Sequence, residues 1–255
     1  MSFEKTDSPG LRKMGNSEDL RVIKAIVPLT GIRGTIAKRM TNSILTAPQG
    51  TQFLDADMTE CLALRKHLNP EFKAKTGVSL SITVIIIKAV ARALQEHPLL
   101  NSLVEDNQVK LIKNVNIGVA VALEEGLAVP VIHDADKKSL ADIALDLDRL
   151  GQRARAKRLS AQEMSGGTFS ITNLGTYGIG YFTPLINPPE SAILGVGAIE
   201  EKPVARNGEV VVRPMIALGL TMDHRSVDGV PAAKFFYRLK ELLQTNYRNQ
   251  EVASV

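Results

Sequence analysis

Met215-Ile216-Ala217-Leu218-Gly219-Leu220-Thr221-Met222-Asp223-His224-Arg225-Ser226-Val227-Asp228-Gly229-Val230-Pro231 joins three kinds of sequence in seventeen residues. An apolar run of strand length, Met215 to Met222, gives way to a polar heptapeptide, Asp223 to Gly229, and then to a helical pattern from Pro231 to Thr245. A strand feeding a tight turn that opens a helix belongs to a chain that mixes sheet and helix. A titratable ring at the mouth of such a turn can be aimed at a ligand as a general base. His224, with two carboxylates, an arginine and a turn glycine around it, is the candidate.

Outward from this stretch, apolar periodicity predicts further elements. Thr30 can cap a helix in which Ile32, Ile36, Met40 and Ile44 form one stripe, ending before Pro48. Thr51 to Met58 reads as a strand, Thr59 to about Leu68 as a helix, and Ser79 or Ser81 opens a helix that is apolar on most faces and ends at His97-Pro98. Val109 to Ile112, Val115 to Leu123 and Leu127 to Ile132 are strand-like, with Glu124-Glu125-Gly126 as a hairpin turn. Ser139 caps a helix whose apolar face is Leu140, Ile143, Leu147 and Leu150, and whose cationic end reads as a dipole-favoured, solvated terminus. Thr168 to Thr172 is a strand. The stretch from Asn173 to Glu190 has no periodicity, yet Tyr177, Ile179, Tyr181 and Phe182 argue that it packs against something. Ser191 to Val196 and Met215 to Met222 complete the strands, with a hairpin expected at Asn207-Gly208. Strands and helices interleave without strict alternation, so the expected fold class is α/β (α+β): a two-layer sandwich with a mixed sheet and helices on one face. Residues 1–24 are polar and aperiodic and read as a flexible leader or linker stub, leaving 25–255 as one domain.

Composition narrows the function. The 255 residues carry a formal charge of +4, which suits an anionic ligand, but with no Trp, four Tyr and seven Phe the chain offers few platforms for stacking bases. A phosphate-bearing small molecule fits better than nucleic acid. Cys61 is the single cysteine, which excludes an internal disulfide and fits a reducing compartment such as the cytoplasm. Its helical setting reads as core. The longest apolar run, Ile82 to Ile87, is far short of the ~20 residues of a membrane span. His67, His97 and His133 lack metal-ligand spacing, so no metal site is expected.

Three segments stand out together: Gly166 to Gly175 (GGTFSITNLG), Ile186 to Glu190 (INPPE) followed by Ala192 to Gly195 (AILG), and the His224 heptapeptide. With Ile32 to Met40 (IRGTIAKRM) and Gly126 to Ile132 (GLAVPVI) in the same order, the chain resembles the catalytic domain of the dihydrolipoyl acyltransferases, the core components of 2-oxo acid dehydrogenase complexes, over roughly residues 24 to 245. The resemblance implies the coenzyme A-dependent acyltransferase fold and transfer of an acyl group between coenzyme A and a dihydrolipoamide thiol. A thiol of pKa about 8.5 is mostly protonated at neutral pH, so the reaction is helped by a base. By resemblance that base is His224, and Thr172 supplies the donor to the oxyanion, a contribution typically worth about 10²–10³ in turnover.

The resemblance also places Asn173, Arg39 and Gly197 near coenzyme A. Arg39 and Gly197 each have a structural reading as well, the first as a surface helix residue and the second as a strand-end turn. Asp228 invites a triad, but it is four residues along a turn from His224, and the family pairs it structurally with an arginine near the first helix. Arg33 is the best match. The implied assembly is a homotrimer in which His224 of one subunit faces the Thr172 pocket of the next. A larger cubic assembly stays open, because Asn246 to Val255 is polar where many members end in an apolar knob. No lipoyl-lysine hairpin precedes Val22, so either the lipoyl group is expected in trans, from a separate lipoylated protein of a 2-oxo acid dehydrogenase system, or the sequence is a catalytic domain excised from a longer protein. Two competitors stand beside it: a chloramphenicol-type O-acetyltransferase, which shares the general His-xxx-Asp-Gly signature although Asp223-His224-Arg225 and Asn187-Pro188-Pro189 favour the dihydrolipoyl branch, and a non-catalytic trimeric scaffold, against which an intact His224 and Thr172 argue.

Overall fold

The computed structural model describes residues 22–124 and 126–245. The expected leader therefore lies outside the described residues except for Val22 to Lys24, and so does the polar C-terminus. Among the described residues a six-stranded mixed sheet runs in the order β1-β10-β9-β8-β4-β7. Its strands are β1 (Gln49–Asp57), β4 (Ile117–Val119), β7 (Val131–Ile132), β8 (Phe169–Asn173), β9 (Ala192–Arg206) and β10 (Glu209–Asp223). Two small antiparallel pairs lie outside it: β2 (Ser102–Glu105) with β3 (Gln108–Leu111), and β5 (Val121–Leu123) with β6 (Gly126–Ala128).

Period-two alternation decides which sheet face is covered. Ile216, Leu218, Leu220 and Met222 of β10, Ala192, Leu194 and Val196 of β9, and Phe169 and Ile171 of β8 all belong to one buried apolar cluster. The same cluster takes residues from four helices: α2 (Thr59–Thr76), α3 (Ile82–Glu96), α4 (Leu140–Arg155) and α5 (Gly229–Gln244). The α3 helix is the central one, with nine of its residues buried. Ser81 caps it by accepting from the Val84 amide at 3.3 Å. Ser139 caps α4 through a capping box in which Asp142 answers the Ser139 amide at 3.0 Å. The two-layer expectation, with helices on one face, is what the packing produces.

The other face is covered by the aperiodic stretch after β8, as its aromatic content implied. Carbon atoms of Phe182 lie 3.0 and 3.2 Å from where a Cβ of Gly195 would stand, and the Phe182 carbonyl 2.9 Å from where one of Gly219 would. Tyr181 packs edge-on against Phe53 of β1, with ring centroids 5.7 Å apart, and donates its hydroxyl to Asp55. Burial and the neighbouring Asp55 carboxylate push that phenol up to about 12, so it remains a donor. Lys202 sits 5.3 Å over the same ring.

Several local expectations are corrected. The α1 helix (Gly31–Thr46) forms, but Thr30 at its N-cap makes no side-chain cap bond, and Ser43 is its only buried residue. Ile32 and Ile44 of the expected apolar stripe are more than half exposed, because α1 meets its own chain mainly at its C-terminal end and at β6. The α2 helix continues past Leu68 and through Pro70 to Thr76; Phe72, fully buried, anchors its second half, and Asn69 accepts from the Leu80 amide at 2.8 Å.

Residues 115–123 and 127–132 are not continuous strands. The chain leaves the main sheet after Val119, where the Ala120 amide donates to Ile171, and makes the β5–β6 hairpin before Val131 rejoins β4. The β2 strand carried no expectation. In contrast, β9 and β10 run far past their apolar cores as a two-stranded ribbon, turning at Asn207-Gly208, where both residues have positive φ (51° and 84°) as a type I′ hairpin requires. No helix among the described residues is long and apolar enough to cross a membrane.

Two outcomes follow from the packing. A Cβ on Gly197 would lie 1.9 Å from the Gly180 carbonyl oxygen and 2.9 Å from that of Ala217, so Gly197→Ala should destabilise by roughly 4 kcal/mol or more or fail to yield folded protein, read by urea denaturation monitored by circular dichroism. Ser139→Ala, which removes one cap, should lose about 1 kcal/mol in the same titration.

Candidate active site

The His224 turn is built by bonding its neighbours rather than the ring. The Asp223 amide donates to the Ser191 carbonyl at 2.8 Å and the His224 amide to the Pro48 carbonyl at 2.9 Å, so the end of β10 is held from both sides. The Asp223 carbonyl then accepts from the Ser226 and Val227 amides, each at 3.0 Å, and from the Ser226 hydroxyl at 3.1 Å. The Asp223 side chain is buried, and Arg225 answers it with Nε at 3.0 Å, Nη2 at 2.6 Å and its own amide at 3.0 Å. The same pair raises the Arg225 guanidinium above its ordinary value. Val227, fully buried, plugs the turn into the core, and Asp228 becomes the N-cap position of α5.

What remains free is the imidazole, 55% exposed and bordering Gly50 and the Met222 side chain. Its Nδ1 stands 3.6 Å from Asp228 Oδ1, beyond hydrogen-bond distance, and the Asp228 carboxylate is 80% exposed. The carboxylate can favour an imidazolium formed during turnover without locking the ring. The expected Arg33–Asp228 ion pair is absent within the chain. Arg33 is exposed and makes no ion pair among the described residues, since the thirteen helical steps from Thr46 back to Arg33 carry it roughly 20 Å along α1, whose N-terminal half packs toward β6.

Thr172 lies in β8 opposite Gly195, on the sheet face away from α2–α5. It is half-buried, and among the described residues its hydroxyl bonds to nothing in the chain, so it is available as a donor. The next residue, Asn173, is already engaged: Oδ1 accepts from the Gly175 amide at 2.9 Å and Nδ2 reaches Thr83 at 3.4 Å, which fixes the start of the covering stretch. Arg39 donates Nη2 to the Pro188 carbonyl at 2.9 Å from an exposed position on α1. Gly197 is used internally, by the close approach of Gly180.

His224 and Thr172 are not brought together within the chain. Through the ladder Thr172–Gly195–Gly219, Thr172 is two strands and four residues from Asp223, roughly 16 Å by strand spacing and rise. A reacting centre that needs both must draw them from two copies.

Sequence reading did not single out the clamp that fastens α1 to the site. Ser43 donates to the Ile186 carbonyl at 2.7 Å, Gln49 Nε2 reaches Ser43 Oγ at 3.0 Å, and Gln49 Oε1 accepts from the Ile186 amide at 3.2 Å. The available signal was a small polar residue, Ser43, in a helix otherwise striped with apolar residues. Among the described residues there is no grouping of three or more His, Cys, Asp or Glu able to hold a metal ion.

With the geometry in place, likeness to known proteins can be weighed. A dihydrolipoyllysine-residue acetyltransferase component of an acetoin cleaving system from Bacillus subtilis is 43% identical over 218 residues, 86% of this chain and 55% of that protein. A dihydrolipoyllysine-residue succinyltransferase component of a 2-oxoglutarate dehydrogenase complex from Bartonella vinsonii is 42% identical over 218 residues, 86% of this chain and 53% of that one. The chain thus spans about half the length of the curated relatives it matches. Among solved structures, a probable dihydrolipoamide acetyltransferase from Listeria monocytogenes superposes with a TM-score of 0.86 at 36% identity, covering 90% of this chain and 98% of that one. The cubic core of a pyruvate dehydrogenase multienzyme complex gives 0.86 at 36% identity over 93% and 99%. A chloramphenicol acetyltransferase, at 14% identity and a TM-score of 0.54 over 81% and 94%, shares the fold alone. The sheet order, the His224 turn and a family model matching residues 23–249 lead to one assignment: the chain belongs to the 2-oxoacid dehydrogenases acyltransferase (catalytic domain) family.

Proposed function

We propose that the domain transfers an acyl group between coenzyme A and the thiol of a dihydrolipoyl group, at a site shared by two copies of the chain. The observation that carries this reading is the pairing of an accessible imidazole on a rigid turn with a free, accessible hydroxyl that the same chain cannot reach. His224 takes the proton of the dihydrolipoyl thiol, and the thiolate attacks the carbonyl carbon of acyl-coenzyme A. Thr172 of the neighbouring copy donates its hydroxyl to the oxyanion. Collapse breaks the bond to the coenzyme A sulfur, and the departing thiolate recovers the proton from His224. Asp228, near Nδ1, favours the transient imidazolium. The reaction is a thioester exchange, so it runs in either direction and needs no metal or redox partner.

Asn173 adjoins Thr172 in β8, and Arg39, with one donor on Pro188, retains others for a coenzyme A phosphate. The lipoyl group is that of a 2-oxo acid dehydrogenase system, in a reducing cytoplasm where the dithiol persists. A homotrimer is the smallest closed ring in which every His224 meets a neighbour's Thr172 by one repeated heterologous contact, and stacking of trimers into a cubic core is the larger form. The exposed apolar residues Ile23, Ile26, Val27 and Leu29 ahead of α1, and Ile44 and Leu45 near its end, suit such contacts.

The test is acylation of dihydrolipoamide from acetyl-coenzyme A, followed as thioester formation, with chloramphenicol as a control acceptor. His224→Ala should lose turnover by at least about 10³-fold, and Thr172→Ala by about 10²–10³-fold, each with little change in KM for acetyl-coenzyme A. Acylation of chloramphenicol in preference to dihydrolipoamide, or a His224→Ala protein as active as the parent, would sink the reading.

The shared site makes a separate demand. Each inactive variant contributes what the other lacks, so mixed trimers reassembled from His224→Ala and Thr172→Ala chains should recover activity, with intact sites in a fraction of interfaces. Absence of complementation in reassembled oligomers, verified by light scattering, would place both groups in one chain.

A further inference from the structure

The segment Ile186 to Ser191 joins the two halves of the site, and its most unusual member is Glu190. The residue is only 4% exposed, in a chain where nearly every other carboxylate reaches solvent or a cation. Asn187 donates to Oε1 at 3.0 Å, while Oε2 is buried with no hydrogen-bond partner. The Ser170 hydroxyl, on β8 two residues before Thr172 and on the same face, is likewise buried and unpartnered. Ser170 acts on the carboxyl without reaching hydrogen-bond geometry with it. With Oε2 buried and unbonded, nothing at that oxygen offsets the lost solvation of a carboxylate, which is the condition under which a carboxyl stays neutral.

The surroundings favour the neutral acid. Arg39 of α1 is the one charge that acts on Glu190, and one of its donors is taken by the Pro188 carbonyl. Ser170 from β8 and Asn187 from the same segment are neutral dipoles. Val131 of β7 and the bare backbone of Gly167 line the same spot: a Cβ on Gly167 would lie 3.0 Å from Oε1 and 3.5 Å from the Val131 side chain. From β2, Leu103 pairs with Glu190 through the backbone only. Burial pushes the carboxyl up to about 7.

The segment reaches the general base directly. Ser191, next to Glu190, accepts the Asp223 amide through its carbonyl, and its hydroxyl pairs with Ser102 at 2.6 Å. Ile186, at the other end, is clamped by Ser43 and Gln49, and Gln49 follows Pro48, whose carbonyl takes the His224 amide. We propose that Glu190 is a positioning residue for the acyl transfer: as a neutral carboxylic acid it stays sealed beside Ser170, Gly167 and Val131, tying the 186–191 segment to β8, and its ionisation slackens that tie and with it the His224 turn. The inference rests on the acyltransferase reading above, but its stability arm stands without it.

The experiment compares the parent with Glu190→Gln, a neutral isostere that keeps a donor, and Glu190→Ala, across pH. Because the folded carboxyl titrates near 7 and the free side chain at 4.5, the stability it contributes is full below about 4.5 and lost as pH rises through about 7. The melting temperature of Glu190→Gln minus that of the parent should therefore grow over this window and stay level above it. In the assay with acetyl-coenzyme A and dihydrolipoamide, parent kcat should carry a falling limb near pH 7, about tenfold between pH 6 and 8, that Glu190→Gln lacks, with KM for acetyl-coenzyme A unchanged. The rising limb of the general base is common to both. Glu190→Ala should lower kcat at both pH values.

Superimposable pH–rate profiles for parent and Glu190→Gln would overturn the positioning role even if the melting temperatures diverge, and a pH-independent difference in melting temperature would overturn the neutral acid. An inactive parent with the expected melting behaviour would instead count against the acyltransferase reading and leave the Ser170 tie standing.

Discussion

The buried Asp223–Arg225 pair is the interaction around which the site is arranged. Asp223 closes one of the two longest strands of the sheet, and its carboxylate is almost wholly removed from water. A buried carboxylate of this kind is tolerated only when its lone pairs are met, and here the two-point guanidinium contact and a backbone amide meet them. Because Arg225 lies two residues on, the pairing forces the chain to double back at once, and the residue between them, His224, is turned outward with its amide fixed to Pro48. The ring is exposed as a consequence of how its neighbours are satisfied. Breaking one partner of such a pair strands the other charge, so the turn has few alternative conformations.

The second half of the site obeys a different constraint. Thr172 sits on the sheet face away from α2–α5, and that face is closed by the stretch after β8, which passes at backbone contact over Gly197 and Gly219 and lays the Phe182 and Pro184 rings on Gly195. These glycines let the backbone come within contact distance, which leaves the strand residues beneath without large side chains. A polar stripe of Thr168, Ser170 and Thr172 survives there because its members have different fates: Thr168 is bonded to Asn101 at 2.6 Å, Ser170 is buried beside Glu190, and Thr172 is left open. The same strand therefore supplies a structural hydroxyl, a buried one and a chemically available one.

Much of this was legible from residues alone. The His224 turn, the capped and mostly apolar α3, the Ser139 cap and the Asn207-Gly208 hairpin all carry local signals strong enough to survive packing, because caps, turn dihedrals and apolar periodicity act within a few residues. What was not legible depends on neighbours distant in the chain. The second helix was expected to end near Leu68, yet it runs through Pro70 to Thr76 with Phe72 buried. The run from Val115 to Leu123 looked like one strand, but the sheet edge offered a partner for only part of it. The polar halves of β9 and β10 gave no strand signal because a two-stranded ribbon outside the core needs no apolar face. Arg33 was matched to Asp228 by type, and the length of α1 separates them.

By itself the sequence determined the order of motifs, the helices and turns that position them, the family they belong to, and His224 as the residue to watch. These rest on short-range chemistry. The tertiary structure decided which polar groups are spent and which are free: that Gly197 serves a backbone crossing, that Arg39 already holds Pro188, that Glu190 is sealed beside Ser170, and that Thr172 is open yet too far from His224 to meet it in one chain. Hydrogen-bond partners and burial are properties of the folded assembly, and no residue type or spacing carries them.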